Sequence, residues 1–274
     1  MKWSSLAAFA AAALVAGAAC AQAPAVPDTI KIGILTDMSS LYADNTGPGS
    51  VTAAKMAVED YGGSVLGKKI EVISADHQNK PDLGASMARQ WFDRDGVQMI
   101  ADVPTSSVGL AVQEVARATN KLVINVGSAT SDLTGKACAP TGLHWLYNTV
   151  ALANGTGTAV VKSGGDSWFF ITADYAFGHA LERDTAAVVE KNGGKVLGSV
   201  KVPLNNADFS SFLLQAQSSK AKIVGLANAG GDTQNTIKQA AEFGIVAGGQ
   251  KLAGLLVLSP TCTASGSRRR RACS

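Results

Sequence analysis

The chain has 274 residues, 46% hydrophobic and 6% aromatic, with 29 glycines. That length allows two domains with cores of their own, and the small-residue bias suits an α/β protein with tight strand-to-helix turns. The formal charge is +3, but Arg268 to Arg271 supply four of the positives and leave the rest at −1, so the body has no basic surface calling for a nucleic-acid partner.

Residues 1–23 read as a cleavable export signal. Lys2 gives the positive start, Leu6 to Ala19 is apolar, and Ala21-Gln22-Ala23 is an A-x-A cleavage site. The apolar stretch is short for a bilayer, and no other segment reaches about 18 apolar residues. Cys20 lacks the larger apolar residue three places before it that lipidation uses, so cleavage after Ala23 and a soluble exported protein are expected. The oxidising compartment permits disulfides, yet Cys138 is the single cysteine of the body, Cys262 and Cys273 lying in the tail. No CxxC and no His/Cys cluster points to a metal.

Strand, polar turn and helix then repeat. Predicted strands are Ile30–Leu35, Lys69–Ala75, Val97–Ala101 and Lys121–Asn125. Predicted helices are Ser50–Tyr61, Leu83–Asp93 and Gly109–Ala118, the first with apolar positions Val51, Ala54, Ala57 and Val58. His144–Thr149 reads as a connector. The pattern restarts with helix Gly155–Lys162, strand Ser167–Thr172, exit loop Ala173–Gly178, helix Leu181–Asn192 and strand Lys195–Lys201. Helix Asp208–Ser218, strand Lys222–Ala227, helix Thr233–Phe243 and strand Lys251–Leu258 complete it. Parallel sheets with helices on both faces follow, in domains spanning 28–145 and 150–258.

Ligands of open parallel sheets bind beyond the C-terminal ends of the strands. The loops there are rich in Ser, Thr, Asn, Gly and Tyr, which suit a carboxylate or another small polar group. The candidates are Ser39, Ser40 and Tyr42; Thr105 and Ser106; Ser128, Ala129 and Thr130; Tyr175 and Phe177; Asn228 and Asp232. Helix capping is the competing reading for Thr105, Ser106, Ser128 and Thr130, and loop packing for Tyr175 and Phe177. Asp232 either caps the helix at Thr233 or faces a ligand ammonium. Two domains facing each other with such loops form a cleft that can close on a ligand.

Catalysis is not expected. The sequence has no GxSxG before a helix, no HExxH and no GxxxxGK[ST], and Gly47-Pro48-Gly49 lacks dinucleotide spacing. Nothing places Asp76 and His77 beside a serine as a hydrolytic triad.

Together these segments resemble the periplasmic substrate-binding proteins of ABC transporters, in the leucine/isoleucine/valine-binding subclass. The resemblance is carried by the export signal, Ile30–Ser39, Gly47–Gly49 with Ala53–Val58, Asp76–Pro81 and Thr172–Gly178, and runs from about residue 28 to 258. It implies a type I periplasmic binding fold of two doubly wound parallel-sheet domains around a cleft, incomplete at the C-terminus. It further implies a periplasmic location, no cofactor, and a permease and ATPase complex as partners. In the family, loops after the first-domain strands hold the ligand carboxylate, which maps to Ser106 and to Ser128–Thr130. Tyr175 matches the aromatic of the second domain, and Asp232 is the nearest acidic candidate for an ammonium. Asp102-Val103-Pro104 stands where amino-acid binders often carry smaller residues, so the ligand need not be leucine. Trp145, Tyr147 and Phe177 keep an aromatic carboxylate open, and amides and urea are further ligands of the family. A sensor module of the same fold and a secreted enzyme are the competing functions.

Ser259 to Ser274 breaks the α/β pattern with low-complexity sequence. Codons for 260–274 read one base out of phase give an ordinary amphipathic helix start, so this tail is expected to be a frameshifted continuation; a true basic tail is the alternative. A missing continuation implies uncovered sheet edges and faces, marginal stability and weak or absent ligand binding.

Overall fold

Strand β1 (Thr29–Thr36) organises the first lobe because both its edges are paired in parallel, one with β3 (Lys68–Asp76) and the other with β4 (Val97–Asp102). The computed structural model describes residues 27–258, so the export signal and the tail lie outside the described residues. β4 pairs with β5 (Leu122–Asn125) and β5 with β6 (Gly142–His144), again in parallel. A short antiparallel strand, β2 (Ser64–Val65), closes the other edge, giving the order β2-β3-β1-β4-β5-β6. Helices α1 (Gly47–Asp60), α2 (Pro81–Asp93) and α3 (Ser106–Thr119) make the crossovers. Val108, Val112, Val115 and Ala116 of α3 pack with Trp91 and Phe92 of α2 over Leu35, Ile100 and Val123.

The second lobe is a parallel sheet of order β10-β9-β7-β8. Its strands are β7 (Ser167–Ala173), β8 (Lys195–Val202), β9 (Ile223–Ala227) and β10 (Lys251–Gly254). Its helices are α6 (Ala176–Lys191), α7 (Ser210–Ser218) and α8 (Gly230–Glu242). A helical run enters the lobe as α4 (Thr149–Leu152), one π-helical turn (Ala153–Gly157) and α5 (Thr158–Lys162). β7 is buried throughout except at its first residue, as expected for a strand covered on both faces.

Several boundaries differ from the sequence expectation. β6 lies just before the predicted connector and ends on its first residue, His144; three residues with Leu143 46% exposed carry no periodic signal. β2 exists because Leu66 and Gly67 both take positive φ, 50° and 73°, and turn a hairpin onto β3. α6 begins at Ala176, so Phe177 is helical and Tyr175 is its N-cap. The last strand stops at Gly254, which pairs with Leu226 near the end of β9, and residues 255–258 lie outside it. α1 forms, but its predicted apolar face is thinly covered: Val51, Ala54 and Val58 are half-buried and Ala57 is exposed.

Candidate cleft between the lobes

Each sheet has a point where neighbouring strands send their exits to opposite faces: between β1 and β4 in the first lobe, and between β7 and β9 in the second. Such switch points leave a crevice beyond the strand ends. Here the two crevices face each other and enclose a cavity of about 190 Å3. The first lobe contributes Tyr42, Asn45, Thr46, Ser50, Asp102, Pro104, Ser106, Val126, Gly127 and Ala129. Tyr175, Phe177 and Ala229 come from the second lobe, and Leu146, Tyr147, Leu256 and Leu258 from the connecting segments.

Tyr42 and Tyr175 bridge the lobes, their hydroxyls 2.5 Å apart. Burial pushes both phenols well above the usual range. Tyr175 also packs on Phe177, ring centres 5.9 Å apart. The contact is close because Gly230 lies against Tyr42: a β-carbon there would sit 3.1 Å from the ring.

Ser106 is the first residue of α3. Its Oγ accepts hydrogen bonds from the amides of Ala129 (3.2 Å) and Thr130 (3.1 Å), and among the described residues no acceptor takes its own proton. A hydroxyl so polarised, on the cavity wall at a helix N-terminus, is a donor suited to an anion. Gly127 permits the wall to close, since a β-carbon there would be 2.6 Å from Pro104 Cα.

Of the twelve sequence candidates, Tyr42, Ser106, Ala129, Tyr175 and Phe177 line the cavity. The others are held elsewhere. Ser39 Oγ donates to Asp76, and Ser40 donates through N and Oγ to Asp37. Thr105 donates to Asn79, whose amide also donates to Ser40. Ser128 Oγ donates to the Val103 carbonyl at 2.5 Å, and Thr130 Oγ1 accepts from the Asp132 amide. Asn228 is bonded to Thr233 and Thr236. Asp232 accepts from the amides of Asn205 and Asn206, while burial pushes its carboxyl up to about 6. Trp145 is 71% exposed and off the wall.

Asp102 was noticed in sequence only as an unusual residue, yet it is on the wall and 6% exposed. Its Oδ2 has no partner in hydrogen-bond geometry, although the hydroxyls of Thr36 and Ser50 are near enough to the carboxyl to hold its pKa down against the larger upward push of burial. Among the described residues no Lys, Arg or His lines the cavity, and no group of acidic, His or Cys side chains could hold a metal.

A second contact between lobes lies outside the cavity. Asp184 accepts from Ser131 Oγ (2.8 Å) and Thr149 Oγ1 (2.6 Å), while Arg183 reaches Asp132 at 3.1 Å.

Comparison with known proteins agrees with this architecture. The family model described as periplasmic binding protein matches residues 29–269, continuing eleven residues past Leu258. A periplasmic binding protein from Burkholderia mallei is 56% identical, with a TM-score of 0.87 over 88% of this chain and 64% of that one. A solute-binding protein of an ABC transporter from Rhodopseudomonas palustris BisB5, solved with 3,4-dihydroxybenzoic acid, is 28% identical, with a TM-score of 0.74 over 83% and 62%. A Leu/Ile/Val-binding protein homolog from Brucella abortus (strain 2308) is 24% identical over 81% of this chain and 55% of its own length. The chain thus spans less than two thirds of these relatives. The fold is the two-lobed α/β arrangement of type I periplasmic binding proteins, and the chain belongs to the periplasmic binding protein family.

Proposed function

We propose that the chain binds a small carboxylate in the cleft and presents it to the permease and ATPase of an ABC uptake system, without chemistry on the ligand. The observation that carries this reading is Ser106, whose hydroxyl proton is free at the start of α3 on an otherwise largely apolar wall. The carboxylate end would be held there, with the Ala129 backbone beside it. The body of the ligand would lie among Tyr42, Tyr147, Tyr175 and Phe177, giving apolar contact and ring stacking. Export by the N-terminal signal and membership of a periplasmic family support the location.

An aromatic carboxylate is favoured over a branched-chain amino acid. Asp232, the acidic candidate for an α-ammonium, already receives two backbone amides and is off the wall, which leaves Asp102, among the described residues, as the one carboxyl on it, beside a lining rich in aromatic rings. The dihydroxybenzoate bound by the Rhodopseudomonas relative points the same way, whereas the Leu/Ile/Val naming of the Brucella relative points to the amino acid. Isothermal titration of the exported chain with benzoate, 3,4-dihydroxybenzoate and leucine separates them. Heats for the aromatic acids alone are expected; tighter binding of leucine would reverse the order, and no heat with any carboxylate would remove the reading.

A further inference from the structure

Asp102 combines two features that the fold alone does not require. The first is its backbone. Asp102 and Val103 take φ of +81° and +48°, consecutive left-handed residues of which the second is β-branched and particularly disfavoured there. The turn places the Asp102 carbonyl to accept the amides of Val126 (2.9 Å) and Gly127 (3.2 Å), and sends the Val103 amide to the Leu35 carbonyl (3.0 Å). This ties together the exits of β1, β4 and β5 at the switch point. Glycine or asparagine at 102 would accept the same backbone without burying an acid.

The second feature is the carboxyl. It lies on the cavity wall, 6% exposed, with Oδ2 unpartnered. A buried acceptor without a donor is costly. The hydroxyls of Thr36 and Ser50 approach the carboxyl and favour its charged form, neither in full hydrogen-bond geometry with Oδ2, and among the described residues the lining holds no cation. Asn45 Oδ1, from the loop leading into α1, is a second unpartnered acceptor on this first-lobe wall. The open positions are therefore acceptors awaiting donors, in a pocket whose other polar anchor, Ser106, is a donor awaiting an anion.

We infer that Asp102 determines specificity by accepting a hydrogen bond from a hydroxyl group carried by the bound carboxylate. A hydroxyl suits the site better than an ammonium. It brings one donor to one open carboxyl oxygen, and it sheds less hydration beside Pro104, Val126 and Tyr147 than a charged group would. The inference rests on the carboxylate reading above and adds the second polar contact to it.

The test is titration of benzoate, 3,4-dihydroxybenzoate and leucine into the exported chain and its D102G and D102N variants, with melting curves confirming that each is folded. The wild type is expected to prefer the dihydroxy acid over benzoate by about tenfold or more, the size of one hydrogen bond to a charged group. D102G should lose most of that preference, read as the ratio of the two affinities so that any loss common to both acids cancels. D102N, which keeps an acceptor at that place, should retain part of it. An unchanged preference in D102G, or none in the wild type, overturns the assignment while leaving the carboxylate reading intact. Tight leucine binding that collapses in D102N makes the partner an ammonium and overturns it as well. Absence of binding by all three acids removes both readings together.

Discussion

Tyr42 Oη, from the first lobe, lies 2.5 Å from Tyr175 Oη, from the second, and the pair forms one wall of the cleft. The Tyr42 ring is buried and the Tyr175 ring half-buried, and the two hydroxyls are hydrogen-bonded to each other. Replacing either tyrosine by phenylalanine removes the hydrogen bond between the lobes and should cost about 1 kcal/mol. The double replacement removes both polar groups and should cost less than the two singles summed. A double-mutant cycle from urea unfolding measures the coupling; strict additivity would show that the lobes do not meet there.

Ser106 and Ser128 should respond differently. Ser106→Ala removes the free donor from the cavity wall and should weaken carboxylate binding by about tenfold to a hundredfold, the usual effect of one hydrogen bond to a charged group. Ser128 Oγ instead donates to the Val103 carbonyl, off the wall. Ser128→Ala should lower stability with little change in affinity. Equal losses of affinity in the two variants would contradict the assignment.

His77 gives a pH signature. It is fully buried, and burial holds its pKa down at about 4 against an ordinary 6.5. The unfolded chain takes up the proton first as pH falls, so the stability associated with neutral His77 is complete above pH 6.5 and disappears as pH drops to about 4. The change amounts to about 3 kcal/mol. Asp232, raised to about 6 from 3.8, acts with the opposite sign: its contribution is full below pH 3.8 and is lost as pH rises through about 6. His77→Asn keeps an acceptor for the Asn79 amide that now donates to His77 Nδ1. The stability difference between wild type and this variant should therefore grow with pH between about 4 and 6.5. Parallel curves across that window would refute the buried neutral imidazole.

Gly230 sits at φ +59°, with its absent side chain facing Tyr42 and the Leu41 carbonyl. Gly230→Ala introduces both backbone strain and a β-carbon at the lobe interface. It should cost about 1–2 kcal/mol and weaken ligand binding through displacement of Tyr42. Unaltered affinity would place Tyr42 outside ligand recognition.

The two sheets were legible in sequence because their strands are long apolar runs separated by polar turns: Ser167–Thr172 and Lys222–Ala227 lie within a residue of β7 and β9. β2 and β6 were not, since two or three residues carry no periodicity and their pairing is decided by neighbours. In the cleft, the aromatics Tyr42 and Tyr175 and the helix-start Ser106 were readable from their place after strands. Among the hydroxyl-rich loops, Ser39, Ser40 and Thr105 lie off the cavity wall and bond to Asp76, Asp37 and Asn79, and such networks have no one-dimensional signal. The place of Asp102 on the cavity wall has no such signal either, because an unpaired buried oxygen becomes visible only once its surroundings are placed.

Thermal unfolding of the exported chain, with and without 3,4-dihydroxybenzoate, addresses the central claim that residues 27–258 form a working carboxylate cleft. The cavity already has walls from both lobes, and a ligand at about a hundred times its Kd should add about 2.7 kcal/mol of stability. A reversible, concentration-dependent rise in Tm that is lost in Ser106→Ala is the predicted result. A Tm unmoved by this acid, benzoate and leucine alike would contradict it, in line with the weak binding that the sequence alone led one to expect.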